Sequence, residues 1–143
     1  MRVVFDTNIL ISAFLWQKRL KLIYQAIRQN QLTPCFTKET WDEFLRALAY
    51  PKFKKQILKI GIAPDEITRL ITSRYYFIPL TPEISVIKDD PSDNNILSAA
   101  LVTKSEFIIS GDRHLLSLKK FVDIPILSPQ QFLKRFKKSK TQK

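Results

Sequence analysis

Short strand-like and helix-like apolar patterns alternate along this chain from end to end, and that alternation restricts its fold more than any single motif. Arg2–Phe5 is a β-branched and aromatic run ending at Asp6, and Ile9, Leu10, Ala13 and Phe14 behind it follow helical spacing. Leu20, Ile23, Tyr24 and Ile27 form the stripe of a second helix, which precedes a second strand, Leu32–Phe36, closed by Thr37. Thr37 suits the N-cap of a helix whose stripe, Trp41, Phe44, Leu45 and Leu48, ends at Pro51. Phe53–Ile60 reads as another helix before Gly61, and Pro64 opens one more to about Arg74. Tyr76–Leu80 is a third strand, Thr81–Ser92 a polar connection and Asp93–Val102 a helix rich in Leu and Ala. Phe107–Ser110 makes a fourth strand, followed by a short amphipathic segment through Leu118; Ile124–Leu127 makes a fifth, and Pro129 to about Phe136 a last helix. Strands and helices in turn predict an α/β fold, a parallel sheet covered by helices on both faces.

Composition removes several function classes. The chain has 143 residues, 45% of them apolar, enough for one domain with a real core. Cys35 and His114 are each the only residue of their type, so neither an internal disulfide nor a Cys/His zinc site can form. Gly61 and Gly111 are the only glycines, too few for a phosphate loop or a GxGxxG dinucleotide fingerprint. No run approaches the roughly 20 apolar residues of a membrane span, and Asp6 interrupts what would be a signal-peptide core, so a cytoplasmic, non-membrane protein is expected. The net charge is +11. From Lys134 the tail KRFKKSKTQK holds six basic and no acidic residues, and the rest of the chain still carries +5. We therefore divide the chain into a domain over 1–133 and a basic tail over 134–143, and expect a polyanionic partner such as nucleic acid.

Ligand sites of open parallel sheets lie at the carboxyl ends of the strands. Asp6 follows the first strand, Asp112 follows the fourth, and Asp93 begins the helix that feeds the fourth, so the topology gathers all three at one edge. Each also precedes or opens a helix and could serve as a cap. Carboxylates brought together repel, and a divalent cation removes that conflict; Mg²⁺ or Mn²⁺ prefers oxygen ligands. An acidic metal site inside a basic surface suits phosphodiester cleavage.

Three blocks, VVFDTNILISAF, KETWDEFLRALAYPKF and DDPSDNNILSAALVTKSEFIISGDRHLLSL, resemble the PIN domain in order and over nearly the whole chain. The resemblance is to the branch of toxins from toxin-antitoxin systems related to the VapC group. It implies an α/β/α sandwich with a five-stranded parallel sheet and a metal-dependent ribonuclease site. Asp6, Glu43, Asp93 and Asp112 match the family's acidic metal-binding and catalytic positions, with Mg²⁺ or Mn²⁺ as cofactor. Asn8 matches the small polar residue that supports the site, and Ser110 replaces the threonine often found before the last acid while keeping its hydroxyl. The resemblance also implies an RNA substrate, a protein antitoxin and a homodimer. The place of Glu43 rests on this resemblance alone, since helical spacing puts it on the flank of the apolar stripe as a surface charge. Asp89 and Asp90 compete with Asp93, which ranks first; Asp90, before Pro91, belongs to a turn. His114 is not required by metal chemistry, Cys35 reads as a buried inert thiol, and Trp16, Trp41 and the phenylalanines read as core.

Two other classes compete with a nuclease. In a non-catalytic nucleic-acid-binding module of the same fold the acids would only cap helices, and the intact acidic set argues against it. A phosphoacceptor domain wants either an acid two residues after Asp6, where Asn8 stands, or an acidic pair after the first strand.

Overall fold

Val3, Val4 and Phe5 leave no polar face, and in the computed structural model, which describes residues 1–15, 17–79 and 91–141, they form the buried part of β1 (Arg2–Phe5). Next to β1 run β2 (Thr33–Thr37) on one side and β4 (Phe107–Ile109) on the other. With β3 (Tyr76–Ile78), β5 (Lys120–Phe121) and β6 (Ile124–Leu127) the sheet has, among the described residues, six strands in the order β3-β2-β1-β4-β6-β5. Five of these are mutually parallel, as the alternating pattern predicts. The sixth, β5, is a correction: it pairs antiparallel with β6 through Lys120↔Pro125 and Phe121↔Ile124. Two residues carry no periodicity, so only the pairing itself reveals this strand.

The helices are α1 (Thr7–Leu15), α2 (Gln17–Arg28), α3 (Lys38–Leu48), α4 (Pro51–Ile60), α5 (Pro64–Thr72), α6 (Pro91–Val102), α7 (Arg113–Leu118) and α8 (Pro129–Thr141). Prolines mark the starts of α4, α5, α6 and α8, where a missing N–H costs nothing. This moves the start of α4 from Phe53 back to Pro51 and that of α6 from Asp93 back to Pro91. Gly61 ends α4 at φ +82°, a conformation that favours glycine, and its N–H donates to Ile57 O at 3.1 Å. The last helix runs past position 134 to Thr141, with Phe132 and Phe136 buried and stacked at 5.7 Å. Leu80, most of the 81–92 connection with Asp89 and Asp90, and Trp16 lie outside the described residues.

Successive residues of a strand point to opposite faces, and the two cores divide accordingly. Val3, Phe5, Phe36, Ile109 and Leu127 pack with α1, α2, α3, α4, α5 and α8. Val4, Cys35, Ile108 and Ile126 face α6 and α7 through Ile96, Leu97, Ala99, Ala100 and Leu115. The result is the expected three-layer arrangement, with helices on both faces.

One helix turns differently from its pattern. In α3 the buried residues are Thr40, Phe44, Ala47 and Leu48, while Leu45 is 40% exposed. At 3.6 residues per turn, the buried face is rotated by about 65° from the stripe Trp41, Phe44, Leu45, Leu48. The cause is packing of α3 against α1, α4 and α6, where small side chains allow close approach. The Thr40 hydroxyl is satisfied there: its Oγ1 accepts from the Thr37 N–H at 2.9 Å, fixing the helix start. We expect Ala47→Leu to cost about 1–3 kcal/mol by overpacking. Leu45→Gln should change stability by no more than about 0.5 kcal/mol. Urea denaturation of both variants decides, and a larger loss in Leu45→Gln would refute the rotated face.

Candidate active site

The strand order reverses at the β1–β4 pair: the chain builds β2 and β3 outward on one side, then returns to start β4 on the other. Such a reversal opens a crevice beyond the carboxyl ends of the two strands, and both expected aspartates sit there. The Asp6 N–H donates to Ile109 O at 2.8 Å, carrying the ladder one residue past β1. This sets Asp6 beside Ser110, which is fully buried and anchored by its own N–H to Leu127 O at 3.0 Å.

The Ser110 hydroxyl then joins the two acids. Its Oγ donates to Asp6 Oδ2 at 3.0 Å and accepts from the Asp112 N–H at 3.0 Å. The other Asp6 oxygen, Oδ1, accepts from the Asn8 N–H at 3.2 Å, so Asn8 supports the site through its backbone. Asp112 also caps α7: its Oδ1 accepts from the N–H groups of His114 at 2.7 Å and Leu115 at 3.3 Å. For Asp112 the cap and the site position coexist.

Asp93 lies in the first turn of α6 and is only 4% exposed. The helix macrodipole favours a negative charge there. α6 packs on β1, β2 and β4 as well as on α3, which carries Glu43. The rotation of α3 makes Glu43 half-buried rather than the surface charge that its spacing suggests. Glu43 stands four residues before Ala47 and three after Thr40, beside the buried face and away from Leu45. Among the described residues, no three acidic, histidine or cysteine side chains converge in a group that could hold a metal ion. The structure thus unites Asp6 and Asp112 through Ser110 and places Asp93 and Glu43 on two helices packed against each other.

Of the remaining candidates, His114 is exposed and takes part in the α7 cap through its backbone. Trp41 is core: its ring packs edge-on against Phe36 at 5.0 Å and Tyr75 at 5.3 Å. Burial pushes the Cys35 thiol up from its ordinary range, against smaller opposing effects from Ser105 and Thr103. It is a neutral side chain of the α6-facing core. The joining role of Ser110 is the feature that the linear pattern conceals; its signal is a hydroxyl at the first position past a central strand and two before an acid. A cleft of about 340 Å³, unforeseen from the sequence, opens where β6 ends, lined by Leu116, Lys119, Ile126, Leu127, Ser128 and Gln131. It adjoins the site because Leu127 is the residue that holds Ser110.

Comparison with protein families shows that the model of the PIN domain matches residues 2–114. No curated protein matches the chain.

Asparagine caps helices as well as aspartate does, so Asp112→Asn should leave stability near that of the parent, whereas Asp112→Ala loses about 1 kcal/mol. Ser110→Ala leaves a part-buried acceptor and donor short of a partner and should cost about 1 kcal/mol. Thermal denaturation measures both; an unchanged midpoint for Ser110→Ala would mean that the hydroxyl contributes nothing to the linkage. Cys35 should react with an aromatic disulfide reagent only on unfolding, and fast modification of the native protein would contradict its burial.

Proposed function

The chain belongs to the PIN domain family, and from this membership and the site geometry we propose that it is a metal-dependent endoribonuclease, the toxin of a toxin-antitoxin pair. PIN domains are generally nucleases and generally use divalent metal ions. The matched span contains Asp6, Asn8, Glu43, Asp93, Ser110 and Asp112. The observation that carries the reading is the Ser110 hydroxyl, which links Asp6 to Asp112 where the sheet order reverses.

The donor set fits Mg²⁺ or Mn²⁺. It consists of carboxylate oxygens without sulfur or imidazole, and Mg²⁺ commonly takes only one or two protein carboxylates. Asp6 and Asp112 would hold the ion, and Asp93 and Glu43 would complete the acidic surroundings. A bound divalent cation supplies charge neutralisation at the phosphodiester and a more acidic attacking water. The protein's own part is positioning. The Asn8 N–H and the Ser110 hydroxyl orient the Asp6 carboxylate from two sides, and the α7 cap holds Asp112 by one oxygen. Lys and Arg side chains outside the crevice hold the RNA backbone without reading its sequence.

The toxin assignment draws on the three sequence blocks that resemble that branch of the family. It carries with it a protein antitoxin, a homodimer and a cytoplasmic setting. Among the described residues no helix is long and apolar enough to cross a membrane.

The test is cleavage of labelled single-stranded RNA of mixed sequence in Mg²⁺, Mn²⁺ or EDTA. Cutting should require metal and vanish in Asp6→Asn and Asp112→Asn while far-ultraviolet circular dichroism stays unchanged. Ser110→Ala, which disturbs a supporting hydrogen bond, should fall by about 10–100-fold. RNA bound yet intact in every metal condition would make the protein a binding module; full activity in Asp6→Asn would remove that residue from the mechanism.

A further inference from the structure

Helix α4 is the most one-sidedly charged element whose side chains are described. It carries Lys52, Lys54, Lys55 and Lys59 within ten residues and no acid. All four are exposed, and among the described residues no carboxylate pairs with any of them; Lys52 lies over the Phe53 ring at 4.7 Å. The helices on either side of α4 in the sequence are different, with Glu39, Asp42 and Glu43 in α3 and Asp65 and Glu66 in α5. Lys52, Lys55 and Lys59 recur at three- and four-residue intervals and share one face over about 10 Å of helix. Like charges at this spacing repel, so the stripe costs stability unless an anion lies along it.

One further residue sets the kind of anion: Tyr50, the N-cap residue of α4, is 47% exposed. A row of flexible point charges with an exposed ring at its end suits a single-stranded nucleic acid, its phosphates on the lysines and an unstacked base on the ring. A lipid surface fits less well. A helix lying on a membrane buries its apolar face in the lipid, but Phe53 and Ile57 of α4 are each 1% exposed and already occupied in the core.

We propose that Lys52, Lys55 and Lys59, with Tyr50, form a track on α4 that binds the backbone of single-stranded RNA. The track rests on the nuclease reading for its role, since it would hold the strand outside the acidic crevice. It acts in binding and takes no part in bond breaking.

The experiment is fluorescence anisotropy of a short labelled single-stranded RNA in EDTA, where no cleavage competes, over a series of salt concentrations. For the full chain carrying Lys52→Gln, Lys55→Gln and Lys59→Gln, the slope of log affinity against log salt should flatten by about 2, at about 0.7 for each phosphate that is no longer neutralised. Lys104→Gln, Lys120→Gln and Lys134→Gln together, which remove the same charge from exposed sites elsewhere, should flatten it less. Tyr50→Ala should weaken binding about 5- to 150-fold with the slope unchanged, and should have no such effect on a duplex. An α4 triple variant that matches the parent or the control triple overturns the track. So does a loss confined to vesicles of anionic phospholipid. The nuclease reading fails separately: parent protein that never cuts RNA, yet loses binding in the α4 triple variant, would keep the track and discard the enzyme. Cutting by the parent with RNA binding unaltered in that variant would do the reverse.

Discussion

The parallel pairing of β1 with β4 is the contact on which both sheet and site depend. Val3, Val4 and Phe5 are in register with Phe107, Ile108 and Ile109, and the Asp6 N–H adds one more rung. Asp6 and Ser110 are 104 residues apart in the chain, yet one hydroxyl joins them. Closing so long a loop costs conformational entropy, though only slowly more as the loop grows. The offset comes from burying Val3, Val4, Phe5, Ile108 and Ile109 between two helical layers. Because this pair is also where strand order reverses, the rungs that hold the centre of the sheet also open the crevice beside Asp6 and Asp112.

The acidic residues show how one side chain serves structure and site together. Asp112 spends one oxygen on two N–H groups of α7, which holds the carboxylate in place. Asp93 sits where the dipole of α6 favours a negative charge, although nearly all of it is withdrawn from water. These devices make it less costly to keep carboxylates at one end of a sheet. The chain as a whole has the opposite sign, with a net +11. In the proposed nuclease reading this separates binding of a polyanion from chemistry on it: the basic exterior would draw the backbone in, and the carboxylates past the strand ends would act on it.

Much of this was legible in the linear pattern. The five parallel strands, the three layers, and the positions of Asp6 and Asp112 after their strands follow from short apolar runs alternating with helical stripes. Such runs are read reliably because a strand buried on both faces has little choice but continuous apolar residues. The cap at Thr37 and the starts of α5 at Pro64 and α8 at Pro129 are local chemistry and were equally open to reading, whereas α4 and α6 begin two residues earlier than their apolar patterns, at Pro51 and Pro91. The face of α3 was not. Leu45 is more hydrophobic than Thr40 and Ala47, so composition points the helix past its buried face, whereas close packing selects the smaller residues and leaves Trp41 at the edge of the core. β5 escaped for another reason, being too short to have a period.

What the sequence by itself determined is the class of fold and the acids that end its central strands, because periodicity and strand-end position are properties of neighbouring residues. What only the tertiary structure decided is which groups touch. That Ser110 joins Asp6 to Asp112, and that Glu43 is drawn half inside, depends on pairing and packing between segments distant in the chain. The residue types are visible locally, but the contacts are not, because the free energy that selects them is gained only once the layers have closed on each other.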